Sequence, residues 1–114
     1  MTSALPDALC FLDGDYTALK DARISVLDRG FIFGDGVYEV VPVYGRRLFR
    51  FDEHMARLNR SLGKLRIDNP HGSDEWLARA RKLVASIGDA TGTGDLLVYI
   101  QVTRGVALRD HVMP

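Results

Sequence analysis

The sequence has a single cysteine, only three lysines, no surplus of either charge and no long apolar run. Cys10 cannot form an internal disulfide. The amino end shows no basic-then-apolar export segment, so a reducing, cytoplasmic setting is the expectation. Fifteen Lys and Arg balance fifteen Asp and Glu, and no block of like charge stands out. The chain therefore lacks the field that holds nucleic acid or an anionic membrane. Its apolar runs fall far short of the roughly 20 residues that a bilayer requires, so no membrane span is expected. His54, His71 and His111 lack metal-ligand spacing, which leaves a metal site without support. Gly30, Gly34 and Gly36 do not match a dinucleotide fingerprint, and Thr91 to Gly94 lacks the Lys-Ser/Thr ending of a phosphate loop. No serine stands in a Gly-x-Ser-x-Gly elbow.

What is present is an ordinary globular composition in 114 residues, enough for one domain with one modest core. Ala8 to Leu12 and Tyr16 to Leu19 read as strands around Asp13-Gly14-Asp15, a hairpin. Val37 to Val43 is a β-branched and aromatic strand that turns at Tyr44-Gly45-Arg46 into Arg47 to Phe49. Pro42 lacks a donor and places the late part of that strand at an edge or bulge. From Asp52 the period changes. Met55, Leu58, Leu62 and Leu65 line one face of a helix that Gly63 weakens. A second helix is expected to start at a Ser73 cap, carry Asp74 and Glu75 in its first turn, bury Trp76, Ala80, Leu83, Val84 and Ile87, and end at Gly88. Leu96 to Thr103 alternates as a strand. This order predicts an α+β layer, two helices packed on a mainly antiparallel sheet.

The segment Asp28-Arg29-Gly30-Phe31-Ile32-Phe33-Gly34-Asp35-Gly36-Val37-Tyr38-Glu39-Val40-Val41 is a charged, glycine-punctuated loop running into a strand. It resembles the signature of fold-type IV pyridoxal-phosphate enzymes, and within them the D-amino acid (D-alanine) aminotransferases. Phe51-Asp52-Glu53-His54-Met55-Ala56-Arg57-Leu58 resembles that family's first helix. Gln101-Val102-Thr103-Arg104-Gly105 with Arg109-Asp110-His111 resembles its late strand and substrate loop. The three matches come in the family's order and cover nearly the whole chain.

The resemblance implies that Arg57 holds the phosphate of pyridoxal phosphate. Its planar fork suits a phosphate, and at about 100° per residue it stands away from the Met55/Leu58/Leu62/Leu65 stripe. Without the resemblance it would read as a solvated helix arginine. The resemblance also puts the Tyr38 hydroxyl near a substrate carboxylate and makes Val40 part of the pocket wall. These two share one side of their strand, with Glu39 and Val41 on the other. Arg109 and His111, two positions apart, resemble the carboxylate trap of D-amino acid aminotransferases, in which the loop comes from the neighbouring subunit, so a homodimer is implied. Asp28, Arg29, Asp35 and the three glycines read as loop-building residues, and Glu39 as a partner for an arginine.

Transamination between an amino acid and a 2-oxo acid also needs a Schiff-base lysine. Neither Lys20, Lys64 nor Lys82 stands at the family's position, which lies beyond Pro114. Residues 1–114 are therefore expected to be the amino-terminal domain of a two-domain D-amino acid aminotransferase, inactive alone and not retaining the cofactor. A branched-chain L-amino acid aminotransferase, an aminodeoxychorismate lyase and a non-catalytic dimerising module are the competing readings.

Overall fold

The computed structural model describes residues 8–106. Leu9–Leu12 (β1) and Asp15–Ala18 (β2) pair antiparallel across Asp13 and Gly14, whose φ angles of 49° and 92° suit the tight turn in which Asp-Gly is favoured. The first half of the signature segment, expected as loop, instead forms one short helical turn, Arg29–Phe33 (α1). The Asp28 carboxylate caps it by accepting from the Gly30 N–H at 2.7 Å, and Gly34 ends it in the left-handed region at φ 66°. A cap and a terminator five residues beyond α1's first residue suffice for a single turn.

Gly36–Tyr44 (β3) and Arg47–Leu48 (β4) form the second hairpin. Leu96–Thr103 (β5) pairs with β3 over its whole length, from Gly36↔Thr103 to Val43↔Leu96. All strands are antiparallel, as expected, but they divide into a β1–β2 sheet and a three-stranded sheet in the order β4-β3-β5. Pro42 stands in the middle strand without a bulge. Its carbonyl accepts from the Phe49 N–H at 2.8 Å, so its donorless nitrogen faces the same flank. β4 ends at Leu48, so the flank holds no strand that needs the missing N–H.

Phe51–Leu65 (α2) packs on β3 through Phe51, Met55, Leu58 and Leu62, all buried. Leu65, expected on that stripe, is exposed, because the helix ends beside it with Arg66 at φ 56°. Ser73–Thr91 (α3) starts at the residue expected to cap it, one position early, with Gly72 in the cap position. It buries Trp76, Ala80 and Val84, while Leu83 and Ile87 stay half-buried. Gly88 does not terminate it. The helix runs on to Thr91 and stops at Gly92, φ 77°. Gly88 is a buried packing position, where a Cβ would meet the Arg46 guanidinium at 2.8 Å. The core joins these residues to Val41 and Val43 of β3 and Val98, Ile100 and Val102 of β5. Among the described residues no helix is long and apolar enough to cross a membrane.

Two glycines give opposite expectations. A Cβ on Gly36 would sit 2.6 Å from the Val102 carbonyl oxygen, backbone that cannot swing aside, so Gly36→Ala should destabilise the chain by about 1–3 kcal/mol. Gly63, inside α2, has nothing within 4 Å of such a Cβ, and Gly63→Ala should stabilise by about 0.5–1 kcal/mol. Urea unfolding of the two variants checks both signs.

Candidate functional site

The alternation of β3 sends Glu39 inward with Val41 and Val43, and its residue remains only 4% exposed. A carboxylate there must be hydrogen-bonded and neutralised. Arg57, reaching across from α2, does both. Its Nε donates to Oε2 at 2.9 Å and Oε1 at 3.1 Å, and its Nη2 donates to Oε1 at 2.9 Å. His54, almost one helical turn earlier, places Nδ1 2.7 Å from Oε1. An ionised carboxylate only accepts, so this nitrogen carries the hydrogen. Burial alone would push the Glu39 carboxyl up; the hydrogen bonds and charges of Arg57 and His54 outweigh it and hold the group below the ordinary glutamate range. Glu39 in turn raises Arg57 further. The Arg57 side chain stays 59% exposed.

Tyr38 and Val40 point from the opposite face, as their alternation predicts. Tyr38 is 63% exposed and stacks on Tyr99, with ring centroids 5.6 Å apart. Its hydroxyl has no hydrogen-bond partner among the described residues. Val40 is half-buried beside it, registered against Tyr99. Tyr38 and Arg57 therefore approach β3 from different sides and are not brought into contact. Arg109 and His111 lie outside the described residues.

A second carboxylate fixes the approach to this strand. Asp35 Oδ2 accepts from Arg29 Nε at 2.9 Å and Arg104 Nε at 2.7 Å, and all three side chains are nearly buried. Arg104 Nη2 also donates to the Leu65 carbonyl at 2.6 Å, and its backbone N–H to the Asp35 carbonyl at 3.0 Å. The Arg29 N–H reaches the Gly105 carbonyl at 2.8 Å. Asp35 and Arg104 together thus tie α1, the start of β3, the exit of β5 and the end of α2 to one another. The hydrogen bond from Arg104 is the main cause that lowers the Asp35 pKa, with Arg29 adding to it against the cost of burial.

The chain belongs to the class IV amino-transferase family, which it matches over residues 36–113. Its relatives include the D-alanine aminotransferase of Staphylococcus aureus (strain MSSA476), 40% identical over 104 residues that span 91% of this chain and 36% of the relative. The D-alanine aminotransferase of Listeria monocytogenes serotype 4b (strain F2365) is 46% identical over 96 residues, covering 83% of this chain and 32% of that one. The fold is similar to that of a fold IV-transaminase from Curtobacterium pusillum, with a TM-score of 0.75 at 25% identity over 81% of this chain and 32% of that chain. It is also similar to the branched-chain amino acid aminotransferase of Escherichia coli, TM-score 0.74 at 20% identity over 88% and 34%, a likeness of fold alone. The chain spans about a third of the length of the curated relatives it matches.

The family implies pyridoxal phosphate in its complete enzymes, and Arg57 fits the phosphate end of that cofactor. A guanidinium carries five N–H donors. Glu39 takes Nε–H and one hydrogen of Nη2; among the described residues nothing else takes the Nη1 hydrogens or the other Nη2 hydrogen of this exposed side chain.

Three participants were not singled out from sequence. His54, which the sequence marks only as lacking metal-ligand spacing, is a partner of Glu39. Asp35, a loop-building residue by sequence, and Arg104, part of a motif, form one ion-paired node. The arginine expected to pair with Glu39 is Arg57, and the carboxylate it meets is buried. The available signal was its register. An acid on the same strand face as Val41 has to find a cation.

Both lowered carboxyls bind a proton less readily in the folded chain than in the unfolded one. Their stabilisation is therefore complete above the ordinary carboxylate range, near about pH 4, and is lost as pH falls through the lower folded values. Asp35→Asn leaves two nearly buried guanidinium groups without their counter-charge and should cost about 3 kcal/mol at pH 7. It should also flatten the loss of stability below about pH 4. Urea unfolding at pH 7 and pH 3 checks both; equal acid sensitivity in variant and parent would rule out this role of Asp35.

Proposed function

We propose that the chain is the amino-terminal domain of a pyridoxal-phosphate-dependent D-amino acid aminotransferase, which moves the amino group of a D-amino acid to a 2-oxo acid. The observation that carries this reading is the Glu39–Arg57 pair, a guanidinium held by one edge and open along the other, in a chain 40% and 46% identical to D-alanine aminotransferases. When bound, the cofactor supplies the electron sink for chemistry at the amino acid's α-carbon. The open edge of Arg57 binds and orients its phosphate. Tyr38 offers an uncommitted hydroxyl to the substrate carboxylate, Val40 forms apolar wall beside it, and Arg109 and His111 complete a charge-assisted trap for the same carboxylate.

The trap loop comes from the neighbouring subunit, which makes the working enzyme a homodimer, and the compartment is the cytoplasm. The Schiff-base lysine belongs to a carboxyl-terminal domain beyond Pro114. The 114 residues alone are inactive and do not retain the cofactor.

In the complete enzyme, D-alanine with 2-oxoglutarate should be transaminated and L-leucine should not; the reverse preference would assign the branched-chain reading. Arg109→Leu should raise KM for D-alanine about 10- to 100-fold, the worth of hydrogen bonds to a charged group. It should leave kcat much less affected, because the anchor serves ground and transition states alike. An unchanged KM for D-alanine would reject the trap.

A further inference from the structure

We infer that Glu39, itself held by His54, is a positioning residue for the Arg57 guanidinium and so for the phosphate group that Arg57 binds. This rests on the assignment of Arg57 to a phosphate made above. The argument begins from what the pair does poorly. A carboxylate on the core face of a sheet loses its hydration, and pairs of this kind often stabilise a fold no better than apolar residues of the same volume. Its partner is mostly in water, where a charge pair contributes little. The arrangement is effective at a different task. An arginine on an exposed helix surface samples many rotamers, and holding one of them for a ligand has an entropic cost. Here Nε and Nη2 are both committed to one buried, immobile carboxylate. The carboxylate is fixed in its turn by His54 at 2.7 Å. The guanidinium plane is therefore set before a ligand arrives, and its Nη1 edge, unpartnered among the described residues, suits a tetrahedral oxyanion.

Two effects of Glu39 oppose each other. Its negative charge offsets the attraction of Arg57 for a phosphate, whereas its hydrogen bonds fix the arginine. On an exposed guanidinium water and salt screen the first, and preorganisation prevails.

The test uses the apo form of the complete enzyme and measures dissociation constants for pyridoxal 5'-phosphate and for pyridoxal, which lacks the phosphate, by equilibrium dialysis. Arg57→Gln should weaken pyridoxal phosphate binding and leave pyridoxal unchanged. Glu39→Gln should weaken pyridoxal phosphate about three- to tenfold, the worth of ordering one long side chain, again without affecting pyridoxal. The double variant should bind no worse than Arg57→Gln alone, because the two residues act as one. Glu39→Asp keeps the charge and shortens the reach. It should show the same loss, and it carries the test if Glu39→Gln does not fold. If Arg57→Gln leaves pyridoxal phosphate binding intact, the phosphate assignment itself falls. If Arg57→Gln weakens binding while the Glu39 variants match the parent, bind more tightly, or lose pyridoxal equally, the positioning role is overturned and the assignment of Arg57 stands.

Discussion

A carboxylate facing the core of a small domain constrains everything around it, and Glu39 is that constraint here. It sits on β3 between Val37 and Val41, in register with Ile100 of β5. A slip of one residue would carry every apolar side chain of the strand to the wrong face, so the pattern that builds the core also fixes where the acid must go. Among the described residues the side-chain partners of that acid all come from α2, from two residues three apart, His54 and Arg57, which share one face of the helix. The same helix offers Met55, Leu58 and Leu62 to the core. The docking of α2 on the sheet and the orientation of Arg57 are thus outcomes of one packing arrangement.

Asp35 performs the corresponding task at the end of the sheet. Short-range geometry alone would leave α1 free to leave the body, since a single helical turn has little stability of its own. Its attachment comes from Arg29 and Arg104 converging on one carboxylate oxygen, and from backbone hydrogen bonds that run both ways between residues 29–35 and 104–105. The first residues of β3 and the last of β5 leave the sheet as a fixed pair. Tyr38 stands three residues after Asp35, so its position inherits that fixation.

The fold was legible in the sequence wherever periodicity was strong. Leu96 to Thr103 alternates cleanly and is a strand with those bounds; the two hairpins follow from Asp-Gly and Gly-Arg turns whose residues take positive φ. Failures came where a glycine had two possible meanings. Gly34 ends a helix that was not foreseen, whereas Gly88 was expected to end one and instead makes room for Arg46. Nothing local separates the two cases. The difference lies in a side chain contributed from another part of the fold. The site divides in the same way. Family resemblance singles out Arg57 and Tyr38 for the proposed site, and alternation gives the opposed faces of β3 on which the two are found. The convergence of Arg29, Asp35 and Arg104 joins residues far apart in sequence, which no local pattern encodes.

The opposed faces set a geometric condition on the proposed ligand. Arg57 addresses β3 from the side of α2 and Tyr38 from the other side, and a continuous sheet would separate them. β3 is not continuously paired, however. β4 meets it only at Val43 and Tyr44, and among the described residues no strand lies beside Tyr38 and Glu39 on that flank. The middle strand of the sheet is locally an edge, at the positions where Tyr38 and Glu39 diverge to opposite faces. On the reading proposed above, a ligand held at its phosphate by Arg57, with its substrate partner's carboxylate met by Tyr38, would have to pass along this open flank rather than through the sheet. The shortness of β4, a two-residue strand, is what leaves that flank of β3 unpaired at Tyr38 and Glu39 among the described residues.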